Sequence, residues 1–225
     1  MTPRPSTPEE PAEGERRWGG TTLTARQTAR REQLVEAGVE LLGTEGAAGV
    51  SVRAVCRAAK LSERYFYESF DGRDALLRAV HTQVAGEARA AIVAAVAGAP
   101  PGGWADEALA HAAVGAFTAF LEEDPRRGRV LLSESFSDTV LARHDVELIP
   151  TFATLLVAQI TALPDAPDAT DAELTAVALI GALRNLYLAW LLGTPPISSA
   201  RLNAHAAALV IAAARVSSRG ADDGH

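Results

Sequence analysis

Nine residues between Ser51 and Arg73 carry the chemistry that double-stranded DNA demands: Ser51, Arg53, Lys60, Ser62, Glu63, Arg64, Tyr65, Tyr67 and Arg73. Arg64 and Tyr65 are expected at base edges, arginine being the commonest bidentate partner of guanine. Tyr67, Arg73 and the capped amides behind Ser51 are expected to grip phosphates, with Lys60 adding a backbone contact. Arg53, Ser62 and Glu63 complete the set. Taken singly, each has a plainer reading: Tyr67 as core, Arg64 as a solvated charge, Glu63 as a favourable first-turn carboxylate. The weight lies in the assembled pattern, which meets both the packing and the contact requirements of a DNA-reading motif.

Helices must position these side chains. Thr24 to Gln27 has the form of a capping box that opens a first helix, whose buried stripe is Leu34, Val35, Gly38, Leu41 and Leu42. Gly46 and Gly49 supply the loose backbone of its exit. Ser51 is a good N-cap for a second helix with Val52, Val55, Cys56 and Ala59 on its apolar side. Ala59-Lys60-Leu61 forms the turn, and Ser62 is expected to cap a third helix. Spacing sends Leu61, Phe66 and Phe70 inward and leaves Glu63, Arg64, Tyr65 and Tyr67 outward. Asp71 is expected to cap a fourth helix that packs back through Leu76, Leu77 and Val80. The layout is that of a helix-turn-helix.

Over about fifty residues this segment resembles the DNA-binding domain of the tetracycline-repressor (TetR) family of bacterial transcription regulators. Arg30 to Glu45 is similar to the family's first helix, Ser51 to Cys56 to its second, and Leu61 to Phe70 to its recognition helix with the signature tyrosine and phenylalanine. Asp71 to Leu77 completes the pattern. Three positions depart from it: Cys56 replaces the usual alanine, Lys60 the usual glycine, and Arg73 the usual lysine. A left-handed turn at Lys60 would cost a non-glycine residue about 1–2 kcal/mol. Arg73 keeps the charge while presenting it in a different geometry.

Charge divides along the chain as this reading requires. The 225 residues carry a net −7, which by itself argues against a nucleic-acid partner. Residues 16–78, however, hold eleven Lys and Arg against eight Asp and Glu, a net +3, leaving −10 for the rest. One cysteine leaves no intrachain disulfide and suits a reducing cytoplasm. No apolar N-terminal run flanked by basic residues points to secretion. Residues 1–22 and 220–225 read as a disordered leader and a flexible tail, the alternative for Arg16-Arg17-Trp18 being an arm that reaches the minor groove.

Beyond residue 71 the chain is helical by pattern, with breaks that delimit helices near 72–97, 104–123, 125–135, 138–163, 169–193 and 198–216. The expected fold is therefore all-α: a helix-turn-helix domain over 23–71, then a helical ligand-binding and dimerisation domain over 72–219. Leu174 to Leu192 is apolar enough to raise a membrane span, but Arg184 and Asn185 at its middle oppose one. A helix buried on one side by its own domain and on the other by a second protomer explains it better. The resemblance implies the same, since the family pairs its last two helices in a four-helix dimer interface, here 169–193 and 198–216. Leu174, Val177, Leu188, Leu209 and Ile211 supply area there, and Gly181 and Ala182 allow close approach. Such a dimer sets two recognition helices about 34–36 Å apart, or a multiple, on a palindromic operator.

The resemblance further implies an effector cavity among the C-terminal helices. Candidate walls are Trp104, Phe117, Phe120, Phe136, Phe152 and Tyr187, with Arg184 and Asn185 as orienting polar groups and His111, His144 and Gln159 as further options. They imply an apolar small molecule. No cofactor or metal is expected: the sequence has no Cys/His cluster at ligand spacing, phosphate loop or nucleophile elbow, and His144-Asp145 lacks a partnered serine. The reading is a cytoplasmic, ligand-released repressor and not an enzyme. A helical interaction module with a degenerate helix-turn-helix is the alternative that Lys60 and the acidity permit.

Overall fold

A computed structural model describes residues 23–97, 107–162 and 166–219, apart from the side chains of 215–219. The leader, the tail and Trp104 lie outside the described residues. Nine α-helices run through these residues in the order α1 Leu23–Glu45, α2 Val52–Ala59, α3 Glu63–Tyr67, α4 Arg73–Val96, α5 Glu107–Glu123, α6 Pro125–Gly128, α7 Thr139–Ile160, α8 Ala169–Leu191 and α9 Ser199–Arg219. No strand occurs among the described residues, so the all-α expectation holds. Between α6 and α7 the chain continues as a π-helical turn over Arg129–Ser133 and a tight turn over Glu134–Phe136.

The helix-turn-helix forms as its sequence requires. Leu34, Leu42, Val55, Phe66, Leu76, Leu77 and Val80 are fully buried around one another, with Phe70 closing the same core. Gly38 permits this packing, because a Cβ there would stand 2.6 Å from Cγ2 of Val80. Ser51 caps α2 by accepting a hydrogen bond from the Ala54 amide at 3.2 Å.

Three caps differ from expectation. Thr24 already lies within α1 and so cannot be its N-cap. Ser62 occupies the N-cap of α3 in an extended conformation, but its hydroxyl makes no capping bond. At α4 the N-cap is Gly72, leaving Asp71 one residue short of the position from which a carboxylate reaches the first-turn amides.

Lys60 adopts the left-handed conformation, φ 54° and ψ 37°. Its amide donates to the Arg57 carbonyl at 3.3 Å, and the Leu61 amide to the Cys56 carbonyl at 2.9 Å, which closes the end of α2 in regular form. The turn is undistorted, and the lysine bears the conformational cost.

Two apolar clusters follow. The first runs from the helix-turn-helix along α4 into Phe120, Leu121, Val130, Leu131, Leu132, Leu141, Tyr187 and Leu202. The second lies among α5, α7, α8 and α9, around Leu109, Val114, Leu156, Ile160, Leu179 and Val210. Helix α4 belongs to both halves. At about 1 kcal/mol for relief of the left-handed lysine, Lys60→Gly should raise the melting temperature by about 2–4 °C in thermal unfolding followed by circular dichroism. An unchanged or lower value would show that the turn carries no such strain.

Candidate functional site

The expected DNA-facing residues separate into two groups. Arg53, Lys60, Glu63, Arg64, Tyr65 and Tyr67 all lie on the exposed side of α2 and α3. Arg53 and Arg64 have 90% and 84% of their side chains accessible. Arg57, which sequence reasoning passed over, is also exposed. It follows Arg53 by four residues and precedes Lys60 by three, so the three basic residues form one stripe on α2.

Several of these groups are oriented by neighbours. Arg64 donates through Nε to Glu68 at 3.1 Å, one turn on. Arg53 pairs with Glu63 at 3.5 Å across the turn. Tyr65 lies beneath the Arg30 guanidinium, 4.4 Å from the ring centroid, which turns one of its faces toward α1. Tyr67 is the most open aromatic here, 58% exposed, with its ring edge-on to buried Phe66.

Arg73 is placed differently from the phosphate role expected of it. Its Nε donates to the Val50 carbonyl at 2.9 Å, and Nη2 donates to the Ala47 carbonyl at 2.7 Å and to Asp138 Oδ2 at 3.0 Å. The guanidinium therefore ties the start of α4 to the loop before α2 and to the N-cap of α7. Burial raises the Asp138 carboxyl, but Arg73 and the Leu141 and Val140 amides outweigh it and hold the group below the usual carboxylate value.

A second tie runs alongside. The Glu134 carboxylate, almost fully buried, accepts from the Ala47 amide at 2.8 Å and from Arg129 Nε at 2.8 Å. Arg129 Nη1 donates in turn to the Thr44 carbonyl at 2.6 Å. Gly46 is needed at this junction: its φ is 77°, and a Cβ would meet Arg129 Nη2 at 2.6 Å. Further along α1, Glu40 pairs with Arg126.

A cavity of about 360 Å³ opens among α4, α5, the π-helical turn, α7, α8 and α9. Of the expected walls, Phe117, Phe152, Arg184 and Tyr187 line it. Phe120 instead packs in the core, stacked on Phe117 and covered by Arg127. Phe136 is 63% exposed on the outer side, with Arg184 over its ring at 4.7 Å. Asn185 sits on the outer face of α8. His144 bonds Thr82 at 2.7 Å and Glu147 at 2.8 Å rather than lining the cavity.

The polar end of this cavity consists of His81, Asp145 and Arg184. Arg184 pairs with Asp145 at 3.0 Å and donates to Ser135, while its Nε is buried without a partner. His81 is 1% exposed, and neither ring nitrogen makes a hydrogen bond of regular geometry, although the Leu131 carbonyl approaches the ring; Nε2 stands 3.9 Å from Asp145 Oδ1. Burial, then the neighbouring His144 and Arg184, lower its pKa from 6.5 to about 4, an effect the Leu131 carbonyl offsets only in part. Burial raises the Asp145 carboxyl, against the charges of Arg184 and His144. His81 was legible in principle: it follows Leu77 by four residues and precedes Val84 and Ala88 on one buried stripe of α4. Elsewhere, burial raises the Tyr187 phenol to about 12, its hydroxyl lying 3.1 Å from the Val114 carbonyl and 2.9 Å from Thr118 Oγ1. No group of His, Cys, Asp and Glu fit to hold a metal occurs among the described residues.

Residues 34–80 match the sequence profile of the bacterial regulatory proteins of the tetR family. Solved structures similar to the chain include the fatty acid degradation regulator FadR from Bacillus halodurans, at TM-score 0.67 and 17% identity, covering 81% of this chain and 94% of that one. FadR from Bacillus subtilis in complex with stearoyl-CoA aligns at TM-score 0.66 and 14% identity over 81% and 98% of the two chains. A TetR-like transcriptional regulator from Rhodococcus sp. RHA1 aligns at 0.59 and 19%, over 80% and 93%. No curated protein matches the sequence. The N-terminal domain is thus a tetR-family domain, and the chain as a whole has the fold of TetR-like transcriptional regulators.

The buried imidazole sets a pH dependence. Because the folded pKa of about 4 lies below the unfolded 6.5, the unfolded chain binds a proton that the folded one refuses between those values. Stability must fall as pH drops through that window, by about 2 kcal/mol between pH 7 and pH 5. The raised Asp145 works in the opposite sense, and the lowered Asp124 and Asp138 act below the ordinary carboxylate range. Urea unfolding of wild type and His81→Leu at both pH values should therefore show a loss smaller by about that amount in the variant. Equal losses would show that His81 titrates normally.

Proposed function

We propose that this protein is a ligand-responsive, DNA-binding transcription regulator that acts as a homodimer and leaves its operator when a small apolar molecule fills the cavity. The observation that carries this reading is that one set of elements belongs to both sites. Helix α4 begins at Arg73 against the helix-turn-helix and contributes His81, Ala85 and Ile92 to the cavity wall. The π-helical turn contributes Leu131 and Leu132 to the cavity, while Arg129 and Glu134 beside them hold the loop at Thr44 to Ala47. A ligand that displaces these walls shifts the recognition helices along two routes. Near-complete release requires the ligand to prefer the DNA-incompetent state by about 5.5 kcal/mol.

Dimerisation through α8 and α9 follows from surface that one chain leaves uncovered. Ala172, Ala176, Leu179 and Tyr187 bury one side of α8, whereas Leu174 remains 64% exposed on the other. Along that outer side run Ala178, Ala182 and Asn185, and on α9 Ala204, Ala208 and Ala212 are exposed, mostly small residues that let helices approach. Helix α8 is long and apolar enough to cross a membrane by length and composition. Its Arg184 is committed to Asp145 and the cavity, and a second protomer accounts for the remaining apolar side.

A palindromic operator and repression are the corresponding mode of action, since a bound dimer blocks polymerase. Selection of bound DNA from a random pool, followed by gel shifts over a salt series, tests the whole reading. Tyr67→Ala should weaken binding to all sequences alike, Arg64→Ala should relax preference at particular base pairs, and Arg57→Ala should lower the magnitude of the salt slope by about 1. Arg73→Ala should destabilise the fold without changing that slope. Absence of sequence-selective binding at low salt would favour a helical interaction module instead.

A further inference from the structure

The cavity is apolar except at one end, and the electrostatics of that end restrict what can occupy it. Three polar groups meet there. The Arg184 charge is matched by Asp145 at 3.0 Å, so the pair adds no net charge. Burial keeps the His81 imidazole neutral at ordinary pH. It brings one N–H donor and one acceptor nitrogen; the Leu131 carbonyl approaches the ring, but neither nitrogen makes a hydrogen bond of regular geometry with the protein. Arg184 Nε–H is a further buried donor without a partner. Leaving buried donors and acceptors unmatched is costly, and a ligand that satisfies them gains correspondingly.

A carboxylate head would enter beside Asp145 with no uncompensated cation to receive it. An ammonium head would enter beside Arg184 with no free carboxylate. Either would bury an unpaired charge. A hydroxyl or amide can accept from Arg184 Nε–H or from the imidazole and donate to the other imidazole nitrogen or to Asp145. The remaining walls, among them Phe117, Leu132, Phe152 and Ile180, offer only apolar surface. The volume of about 360 Å³ leaves room for a body of at least about a dozen non-hydrogen atoms.

We infer that the cavity is selective for an uncharged amphiphile, an apolar body of this size ending in a hydroxyl or amide that hydrogen-bonds to His81 and Arg184. The inference rests on the ligand-responsive reading and sharpens it by excluding carboxylate and ammonium ligands.

The test uses the full chain and three probes of equal length at pH 7: 1-decanol, sodium decanoate and decylamine hydrochloride, each titrated calorimetrically and in thermal shift. Decanol should bind at least about tenfold more tightly than either charged probe, and His81→Leu and Arg184→Met should each reduce that preference by about tenfold. Retention of cooperative unfolding and of DNA binding in at least one variant separates loss of the head-group contact from loss of fold. Decanoate binding equal to or tighter than decanol, with a proton taken up as Asp145 yields Arg184, would overturn the neutral-head inference and leave the ligand-responsive reading standing. Binding of no probe would overturn both, whereas DNA binding is read independently in the ligand-free protein.

Discussion

The buried carboxylate of Glu134 is the interaction on which the arrangement of the two halves depends. A charge so far from water is tolerated only when it is paired and hydrogen-bonded, and here its partners come from both sides of the molecule. Arg129 lies on its own segment, while the Ala47 amide belongs to the loop that sets the start of α2. The Arg73 to Asp138 pair, reaching Val50 and Ala47 as well, makes the same connection from α4. Removing Arg129 would leave the Glu134 carboxylate buried with one charged partner fewer, whereas the arginines, 40% and 32% accessible at Arg129 and Arg73, can turn to water when their carboxylates are lost. The orientation of the helix-turn-helix is therefore held by a few directional contacts at Thr44 to Val50 rather than by apolar packing alone. Packing is non-directional, and a polar junction of this kind has discrete arrangements.

That distinction bears on how a cavity some way from the recognition helix could act on it. The π-helical turn carries the cavity-facing Leu131 and Leu132 and, on its flanks, the junction residues Arg129 and Glu134. Such turns are locally wide and often occur where a helix serves a site. Apolar walls yield to an occupant by small shifts, because close-packed interiors transmit displacement instead of absorbing it. The junction contacts, at 2.6–2.8 Å for Arg129 to Thr44 and Glu134 to Ala47, lose strength steeply with distance and angle. Under the proposed function, a modest displacement of one short turn would change the hydrogen bonding at the base of the helix-turn-helix.

The helix-turn-helix was legible in the sequence because its determinants are local. Stripe spacing identified Phe66 and Phe70 as core, and the capping hydroxyl identified the start of α2. Arg73 shows where local reading stops: its partner Asp138 is 65 residues away, and no periodicity marks such a pair. The same limit applied to the cavity. Aromatic content found Phe117, Phe152 and Tyr187, but could not separate them from Phe120, which is core, or Phe136, which faces outward. All five lie on apolar-rich helices, and only the tertiary arrangement decides which face meets empty space. His81 was missed for a different reason. A histidine inside an apolar stripe reads as a satisfied core residue until its missing partners are seen.

Lys60 and His81 carry costs of the same kind at two different sites. The lysine holds a backbone conformation that glycine would adopt more freely, and the histidine keeps two polar atoms from water with no hydrogen bond of regular geometry in exchange. Neither helps the fold, and each stands where a partner can compensate. Lys60 extends the basic stripe of Arg53 and Arg57, so its charge is placed where phosphates would neutralise it. His81 faces the cavity, where a bound hydrogen-bonding group would satisfy it. Sites that bind are commonly the places where local stability rules are broken, because a group already satisfied within the fold has little left to offer a ligand. The two positions thereby support the proposed DNA-binding and effector-binding roles from observations independent of surface charge and cavity shape.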